Sequence, residues 1–328
     1  MTRARAVIGL LTLAVVAACG GGDGGNGPTP PGLPDPAALA TQVAAVNHAA
    51  QVAPLQSLGA VAVPLFLSNV EINSLTGLDL NQTRVWDPTQ RLYVASNRTD
   101  APANALRVVL YSIDSSSGLP AVPLVEVGAL DLYPVNAIIG GPMAKDQMRY
   151  VVSGTGATPV VYADFTATTN YQPGCLCATV AGWVGDGVTR IDFSAPYSIV
   201  FGGGTTFSGD LSVAPQSLHL LHTSVLPPLG DSLASADVRF AFLGDSLESQ
   251  VFLSFHSVGP ATADVSILVN GRRFATGSYG SGGESFTGPG GRALTGPELA
   301  ALHELALLPL GLALNVEFPT LTTFYCGC

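Results

Sequence analysis

Apolar and polar residues alternate with a period of two over much of the chain, and this pattern limits the folds that the chain can adopt. Between about residues 145 and 276, short runs of this kind follow one another, and the clearest is Ile191-Asp192-Phe193-Ser194-Ala195. Similar alternation occurs at 161–168, 237–242, 251–256 and 265–270. A strand with this pattern buries one face and exposes the other, which is typical of antiparallel sheets.

Turn sequences separate the alternating runs. The predicted turns are Gly185-Asp186-Gly187, Gly209-Asp210, Gly230-Asp231, Gly244-Asp245 and Asn270-Gly271. Asn270-Gly271 is the strongest of them, because both residues tolerate the positive φ angles of a two-residue hairpin. In the register that this turn sets, Ile267 faces Phe274. No helical period interrupts the runs, so the sequence predicts a mainly β fold, an antiparallel meander that forms a curved sheet or partial barrel.

A helical segment precedes the alternating runs. Asp35-Pro36 combines a capping side chain with proline at the first helical position, and both favour the start of a helix. The apolar residues Leu39, Val43 and Val46 follow with helical spacing. Since proline is disfavoured inside a helix, this helix is predicted to end before Pro54.

A second helical segment follows the alternating runs. Thr295 and Glu298 have the spacing of a capping box, in which each side chain accepts a hydrogen bond from the other residue's backbone amide. Pro309 and Gly311 are predicted to end this helix, and a strand-like apolar run at 313–325 follows it. The sequence therefore predicts one N-terminal and one C-terminal helix packed on the sheet.

The organisation of the chain follows from these segments. Residues 1–18 are interpreted as a signal peptide, and residues 19–35 as a Gly/Pro tether with too few apolar residues to pack. Residues 36–328 are interpreted as a single β-rich domain. A division of this domain near 135–145, at Gly140-Gly141-Pro142, is the alternative.

The first 19 residues contain the most specific motif in the chain. Arg3 and Arg5 precede Ala6–Ala18, an apolar run of 13 residues. A permanent membrane-spanning helix needs about 20 residues, so this run is too short. The run ends in Val16-Ala17-Ala18-Cys19, and here the chain resembles a bacterial lipoprotein precursor. The resemblance implies cleavage before Cys19 and diacylation of Cys19.

Charge and composition exclude several classes of protein. The chain is 47% hydrophobic and 11% charged, which excludes disorder of the main domain. The net charge of −10 leaves no basic surface for nucleic acid. Cleavage before Cys19 would remove two arginines, so the mature chain would attach to a membrane through its acyl chains and not through charge. Gly20 stands where the lipoprotein family places Asp for retention in the inner membrane, and this implies the outer membrane.

Four further cysteines form two matching pairs. These pairs are Cys175-Leu176-Cys177 and Cys326-Gly327-Cys328. In an exported protein an even set of cysteines indicates disulfides, here with three possible connectivities. One bridge that closes a loop of about 150 residues would stabilise the fold by roughly 4–5 kcal/mol on chain-entropy grounds. A metal site with four thiolates and a redox centre are the alternatives.

One tetrapeptide has the sequence of a catalytic motif. Gly244-Asp245-Ser246-Leu247 resembles the nucleophile block of the GDSL-type esterases, and the same four residues recur at Gly230-Asp231-Ser232-Leu233. That family has the block near the start of an α/β domain and an Asp-x-x-His near its end. Neither His256 nor His303 has an Asp three positions earlier. Ser246 is therefore interpreted as part of a polar turn, with a serine nucleophile as the alternative.

No other pattern predicts a catalytic or metal site. His219 and His222 would share a face on a helix, but they lie in a predicted strand, where residues three apart point to opposite faces. No metal and no cofactor are predicted. The sequence predicts a lipid-anchored envelope protein that is not an enzyme and that has a structural role, contacts an envelope partner or binds a hydrophobic ligand. A hydrophobic ligand would need an open concave face between sheet and helices. A serine esterase, and redox or metal binding by the cysteine pairs, are the alternatives.

Overall fold

The computed structural model is mainly β, with most strands in one large, curved sheet. It describes residues 32–59, 79–114, 117–137, 145–172, 175–200, 204–226, 233–254, 262–280 and 283–313. Three helices accompany the sheet: α1 (Pro36–Ala50), α2 (53–59) and α3 (Gly296–Leu312). The predicted fold class, with one N-terminal and one C-terminal helix packed on a mostly antiparallel curved sheet, is confirmed. Among the described residues, no helix is long and apolar enough to cross a membrane.

The sheet is a meander over most of its width. Its strands, with the two short ones of a separate hairpin, are β1 (Gln82–Asp87), β2 (Leu92–Ala95), β3 (Leu106–Tyr111), β4 (Ile113–Asp114), β5 (Leu119–Pro120), β6 (Glu126–Ala137), β7 (Lys145–Gly154), β8 (Val161–Gln172), β9 (Cys175–Gly185), β10 (Arg190–Val200), β11 (Gly204–Ala214), β12 (Leu218–Leu226), β13 (Leu233–Phe242), β14 (Asp245–Ser254), β15 (Thr262–Val269), β16 (Arg272–Gly280) and β17 (Gly283–Thr287). From β6 to β17, each strand pairs antiparallel with the next one in sequence. At the other side, β6 pairs with β3, β3 pairs parallel with β1, and β1 pairs with β2.

One lateral row of buried side chains crosses the apolar face of the sheet, and we call it the central row. Following the register from β3 and β6 through to β15, it consists of Leu106, Leu132, Tyr150, Phe165, Gly182, Phe193, Leu211, Leu220, Phe240, Leu247 and Val269. Every side chain in the row is at most 5% exposed. The alternation seen in the sequence therefore places one residue of each of these strands in the same apolar layer.

Gly182 is the single residue of the central row without a side chain. A Cβ at this position would lie 2.3 Å from the carbonyl oxygen of Asp164, so no larger residue fits here without a shift of the backbone. The rings of Phe165 and Phe193, its two neighbours in the row, have centroids 6.1 Å apart and cover the glycine. Tyr150 stacks on Phe165 with centroids 5.0 Å apart. Around Gly182 the row is thus an aromatic cluster built at a close approach of β8 and β9.

Two of the predicted turn details are wrong. Gly209-Asp210 is not a turn but lies inside β11, because a Cβ at Gly209 would lie 2.7 Å from the ring of Phe207 and the strand needs glycine for packing. At the Asn270-Gly271 hairpin, Ile267 pairs with Ala275 and not with Phe274, because a bulge shifts the register between Ile267 and Leu268. The turn itself forms as predicted, with φ of 52° and 73°.

Helices α1 and α3 pack against each other on the buried, apolar face of the sheet. α1 contacts β9 and β10, and α3 contacts β13, β14 and β15. The amide side chain of Asn47 in α1 donates hydrogen bonds to the backbone oxygen of Glu304 at 3.0 Å and to its carboxylate at 2.8 Å. α1 ends before Pro54 as predicted. The sequence pattern does not predict α2, which includes Pro54 in its first turn.

The capping box predicted at the start of α3 is present. The backbone amide of Thr295 donates to Glu298 Oε2 at 2.8 Å, and the Thr295 hydroxyl accepts from the Glu298 amide at 3.4 Å. Arg292 Nη1 donates to the same carboxylate at 3.0 Å. The hydrogen bonds from Arg292 and Thr295 lower the pKa of Glu298 to about 2.

The predicted end of α3 is wrong, because the helix continues through Pro309 to Leu312. A proline inside a helix has no N–H for the carbonyl four residues earlier, which here is that of Leu305. The fully buried hydroxyl of Ser249 in β14 donates a hydrogen bond to this Leu305 oxygen at 2.7 Å. The sheet therefore supplies the donor that the helix lacks.

Replacing Ser249 with alanine should destabilise the fold through this carbonyl. We expect the free energy of unfolding to fall by about 1–3 kcal/mol, because the Leu305 oxygen loses its donor in a dry environment. In a Pro309→Ala background, the new amide can donate to Leu305, so Ser249→Ala should cost at least about 1 kcal/mol less. Urea denaturation of the four proteins measures this coupling. If Ser249→Ala lowers the free energy of unfolding equally in both backgrounds, Ser249 does not compensate for the amide that Pro309 lacks.

Glu298→Gln should destabilise the fold in a pH-dependent way. The folded-state pKa of Glu298 lies below its ordinary value, so its contribution is present at neutral pH and disappears as the pH falls towards about 2. We expect a loss of about 1 kcal/mol at pH 7, since the Arg292 partner is half exposed and water screens the pair. The two proteins should be equally stable at pH 2 in urea titrations. A difference that does not change with pH would show that geometry, not charge, matters here.

Candidate functional site

Ser246 lies beside the turn between β13 and β14. Leu243 and Gly244 form this turn, with φ of 51° and 90°. The Ser246 amide donates to Asn270 Oδ1 at 2.9 Å, and the Asn270 amide donates to the Ser246 oxygen at 2.7 Å. Asn270 Nδ2 also donates to Asp245 Oδ1 at 2.6 Å. The backbone of Ser246 thus joins two neighbouring hairpin turns, as expected for a structural turn.

Each of the four histidines that the structure describes has a hydrogen-bond partner other than Ser246. His48 Nδ1 lies 2.8 Å from Asp186 Oδ2, His219 Nε2 lies 3.3 Å from Ser212 Oγ, His222 Nδ1 lies 2.9 Å from the Asp237 oxygen, and His303 Nδ1 lies 2.8 Å from Glu284 Oε2. His219 is exposed and His222 is buried, so the two lie on opposite faces of β12, as the strand pattern predicts. Among the described residues, no group of three or more His, Cys, Asp or Glu could bind a metal ion.

Several predicted site residues lie outside the described residues. They are Cys19, Ser232, His256, Cys326 and Cys328. Cys175 and Cys177 lie in β9, where their register partners in β8 are Gln172 and Asn170. The two disulfides therefore stay a prediction.

The helices cover part of the apolar face of the sheet, the face on which a hydrophobic ligand would have to bind. The buried side chains of α1 and α3 belong to the same apolar cluster as the central row. Those that are at most 2% exposed are Leu39, Val43, Val46, Ala49, Ala50, Ala301, Leu302, Leu305, Ala306, Leu308 and Leu312. Over β9, β10 and β13 to β15, the chain therefore covers the sheet with its own apolar side chains.

The opposite face of the sheet is crossed by ion pairs between neighbouring strands. Arg107 in β3 donates to both carboxylate oxygens of Asp131 in β6, each at 2.7 Å. Arg149 in β7 donates in the same way to Asp164 in β8, at 2.7 and 2.6 Å. Asp131 is buried, and a buried carboxylate needs such bidentate pairing. These ion pairs join neighbouring strands, so they have a structural role in the sheet.

An open cleft lies beside the junction of α1 and α2, and we call it the junction cleft. Its volume is about 620 Å³. It is lined by His48, Gln51, Val52, Ala53, Pro54, Glu126, Val127, Gly154, Thr155, Thr158, Val160 and Tyr162. These residues come from the end of α1 and the start of α2, the first residues of β6, and the connection from β7 to β8. Three distant chain segments therefore form one concave surface.

The charges around the junction cleft are mostly negative. Glu126 accepts a hydrogen bond from Arg98 at 2.6 Å, and Arg98 also donates to Asp100 at 2.8 Å. Burial alone would raise the pKa of Asp186, the partner of His48, but hydrogen bonds from the amides of Thr189 and Val188 and from His48 lower it. The lining itself contains no Lys or Arg.

No pattern in the sequence predicts the junction cleft. Gly154 ends β7, and Thr155 and Thr158 lie in the connection to β8. The sequence does not mark Glu126 and Tyr162 as site residues, because nothing in it shows that the α1–α2 junction lies over them. No protein-family model, no curated protein and no solved structure matches the chain.

The turn at Ser246 can be tested with two substitutions. Asn270→Gly keeps a residue that tolerates positive φ and removes both side-chain hydrogen bonds, so stability should fall by about 1–2 kcal/mol. Ser246→Ala removes only an exposed hydroxyl and should change stability by less than about 0.5 kcal/mol. Urea denaturation measures both effects. In an assay with a fluorogenic short-chain ester, turnover by the wild type that Ser246→Ala abolishes would contradict the turn and support a serine nucleophile.

Proposed function

We propose that this chain is a lipid-anchored protein of the cell envelope, expected in the outer membrane, that acts by interaction and not by catalysis. The anchor is supported by Val16-Ala17-Ala18-Cys19 after a short apolar run. The interaction role is supported by one structural observation, the cover that α1 and α3 provide over part of the apolar face of the sheet. A carrier of a hydrophobic ligand needs that face open, so a role in contacting an envelope partner fits the described residues better.

The anchor and the tether determine where the domain acts. The Gly/Pro segment over 19–35 would separate the lipid from the domain by roughly 20 Å if it behaves as a flexible coil. The chain has 23 acidic and 13 basic residues, so anionic headgroups would repel it. Acyl chains would therefore supply the membrane affinity, and the folded domain would stay close to the bilayer without inserting through charge.

Mass spectrometry and fractionation of the exported protein test the anchor. We expect a mature chain that begins at Cys19, carries a diacylglyceryl group and partitions into detergent, because the acyl chains transfer from water into an apolar phase. Cys19→Ser should leave the chain unacylated and in the aqueous phase. Gly20→Asp is the matched control for location, and in a Gram-negative host it should move the acylated protein to the inner membrane. A wild-type chain without acyl groups would contradict the proposal.

The same intact-mass measurement tests the proposed disulfides. Alkylation without prior reduction should leave Cys175, Cys177, Cys326 and Cys328 unmodified, because disulfide sulfurs do not react with the alkylating reagent. Four alkylated thiols would contradict the disulfides. Thiols that become reactive only after a chelator is added would favour the metal alternative.

A further inference from the structure

The junction cleft has the electrostatic character of a cation site. It lies where the C-terminal end of α1 meets the N-terminal end of α2, so the partial charges of the two helix ends oppose each other and the charge of the lining comes from Glu126. Glu126 lies in the wall, and its side chain is 43% exposed. Arg98 neutralises only part of this charge, since it is shared between the carboxylates of Glu126 and Asp100. An anion would meet no Lys or Arg in the lining, whereas a cation would meet the exposed part of the Glu126 carboxylate.

The rest of the wall is suited to an apolar group. Val52, Val127 and Tyr162 are half-buried, and Val160 is 48% exposed at the surface of the cleft. The face of a tyrosine ring attracts an ammonium group as well as apolar carbon. The hydroxyls of the two threonines in the lining can accept hydrogen bonds from an N–H donor. Volume, charge and apolar surface together describe a site for a ligand with one positive and one apolar part.

We propose that the junction cleft binds a small organic cation, a primary ammonium group attached to an apolar body. The ammonium group lies against Glu126, and the apolar body lies against Val127, Val160 and Tyr162. This chemistry is found in free amines and in lysine side chains of peptides. The site is independent of the lipid anchor and of the role proposed above.

The test is a calorimetric titration of the full mature protein with 2-phenylethylamine at constant pH and low salt. We expect the amine to bind, and 2-phenylethanol and phenylacetate to bind at least about tenfold more weakly, since a tenfold change corresponds to about 1.4 kcal/mol. Glu126→Gln should weaken amine binding about tenfold. Asp264→Asn, a change of charge on an exposed residue of β15 outside the lining, is the matched control and should leave the affinity unchanged.

A second variant tests the site without removing Glu126, because Glu126→Gln also changes the ion pair with Arg98. Thr158 is exposed in the connection between β7 and β8, so Thr158→Lys should fold normally and place a positive charge in the cleft. We expect it to abolish amine binding and to allow phenylacetate to bind. Equal binding of amine and alcohol, or amine binding that neither variant changes, would overturn the proposal. Titration with acetyl-Phe-Lys-amide and its Nζ-acetylated form separates the two sources, because tighter binding of this lysine peptide than of the free amine points to a peptide partner.

Discussion

The fold depends on the lateral alignment of the central row. Each strand from β6 to β15 contributes one residue to it, and its neighbours in the register are residues of the adjacent strands. A shift of one residue in any strand would turn its apolar side chains to the solvent face and bring polar ones into the core. The free-energy cost of such a shift is larger when the neighbouring strands keep their register. The alternating pattern therefore specifies the register of the whole sheet as well as each separate strand.

Small residues in this sheet allow close packing at particular points. Gly182 lets β8 and β9 approach and lets two phenylalanine rings meet across it. Gly209 plays a similar part beside the ring of Phe207. The polar Ser249 lies between Leu247 and Val251 on the buried face of β14, where an apolar residue would be expected. Its partner is the one carbonyl that Pro309 leaves without a helical donor, so two local exceptions compensate each other.

The sequence predicts the strands well, because alternation and turn residues act locally. The alternating runs correspond to β8, β10, β13, β14 and β15, and the capping box of α3 forms between residues three apart. The wrong predictions involve contacts between distant residues. Gly209 is typical of a turn in the sequence, but in the fold it lies in a strand beside the Phe207 ring. Pro309 is typical of a helix end, but Ser249 in β14 donates to the carbonyl that Pro309 leaves without a helical donor. The junction cleft belongs to the same class, because its three wall segments meet only in the folded chain.

The bond between Ser249 and Leu305 also bears on the order in which the domain forms. Ribosomes release a chain from its N-terminus, so α1 and the whole meander emerge before α3 exists. Until α3 is made, α1 lacks the helix on which it packs and the Ser249 hydroxyl on β14 lacks its acceptor. A partly synthesised chain without α3 therefore lacks part of the cover over its apolar sheet face, and it exposes that surface to other chains until α3 is made.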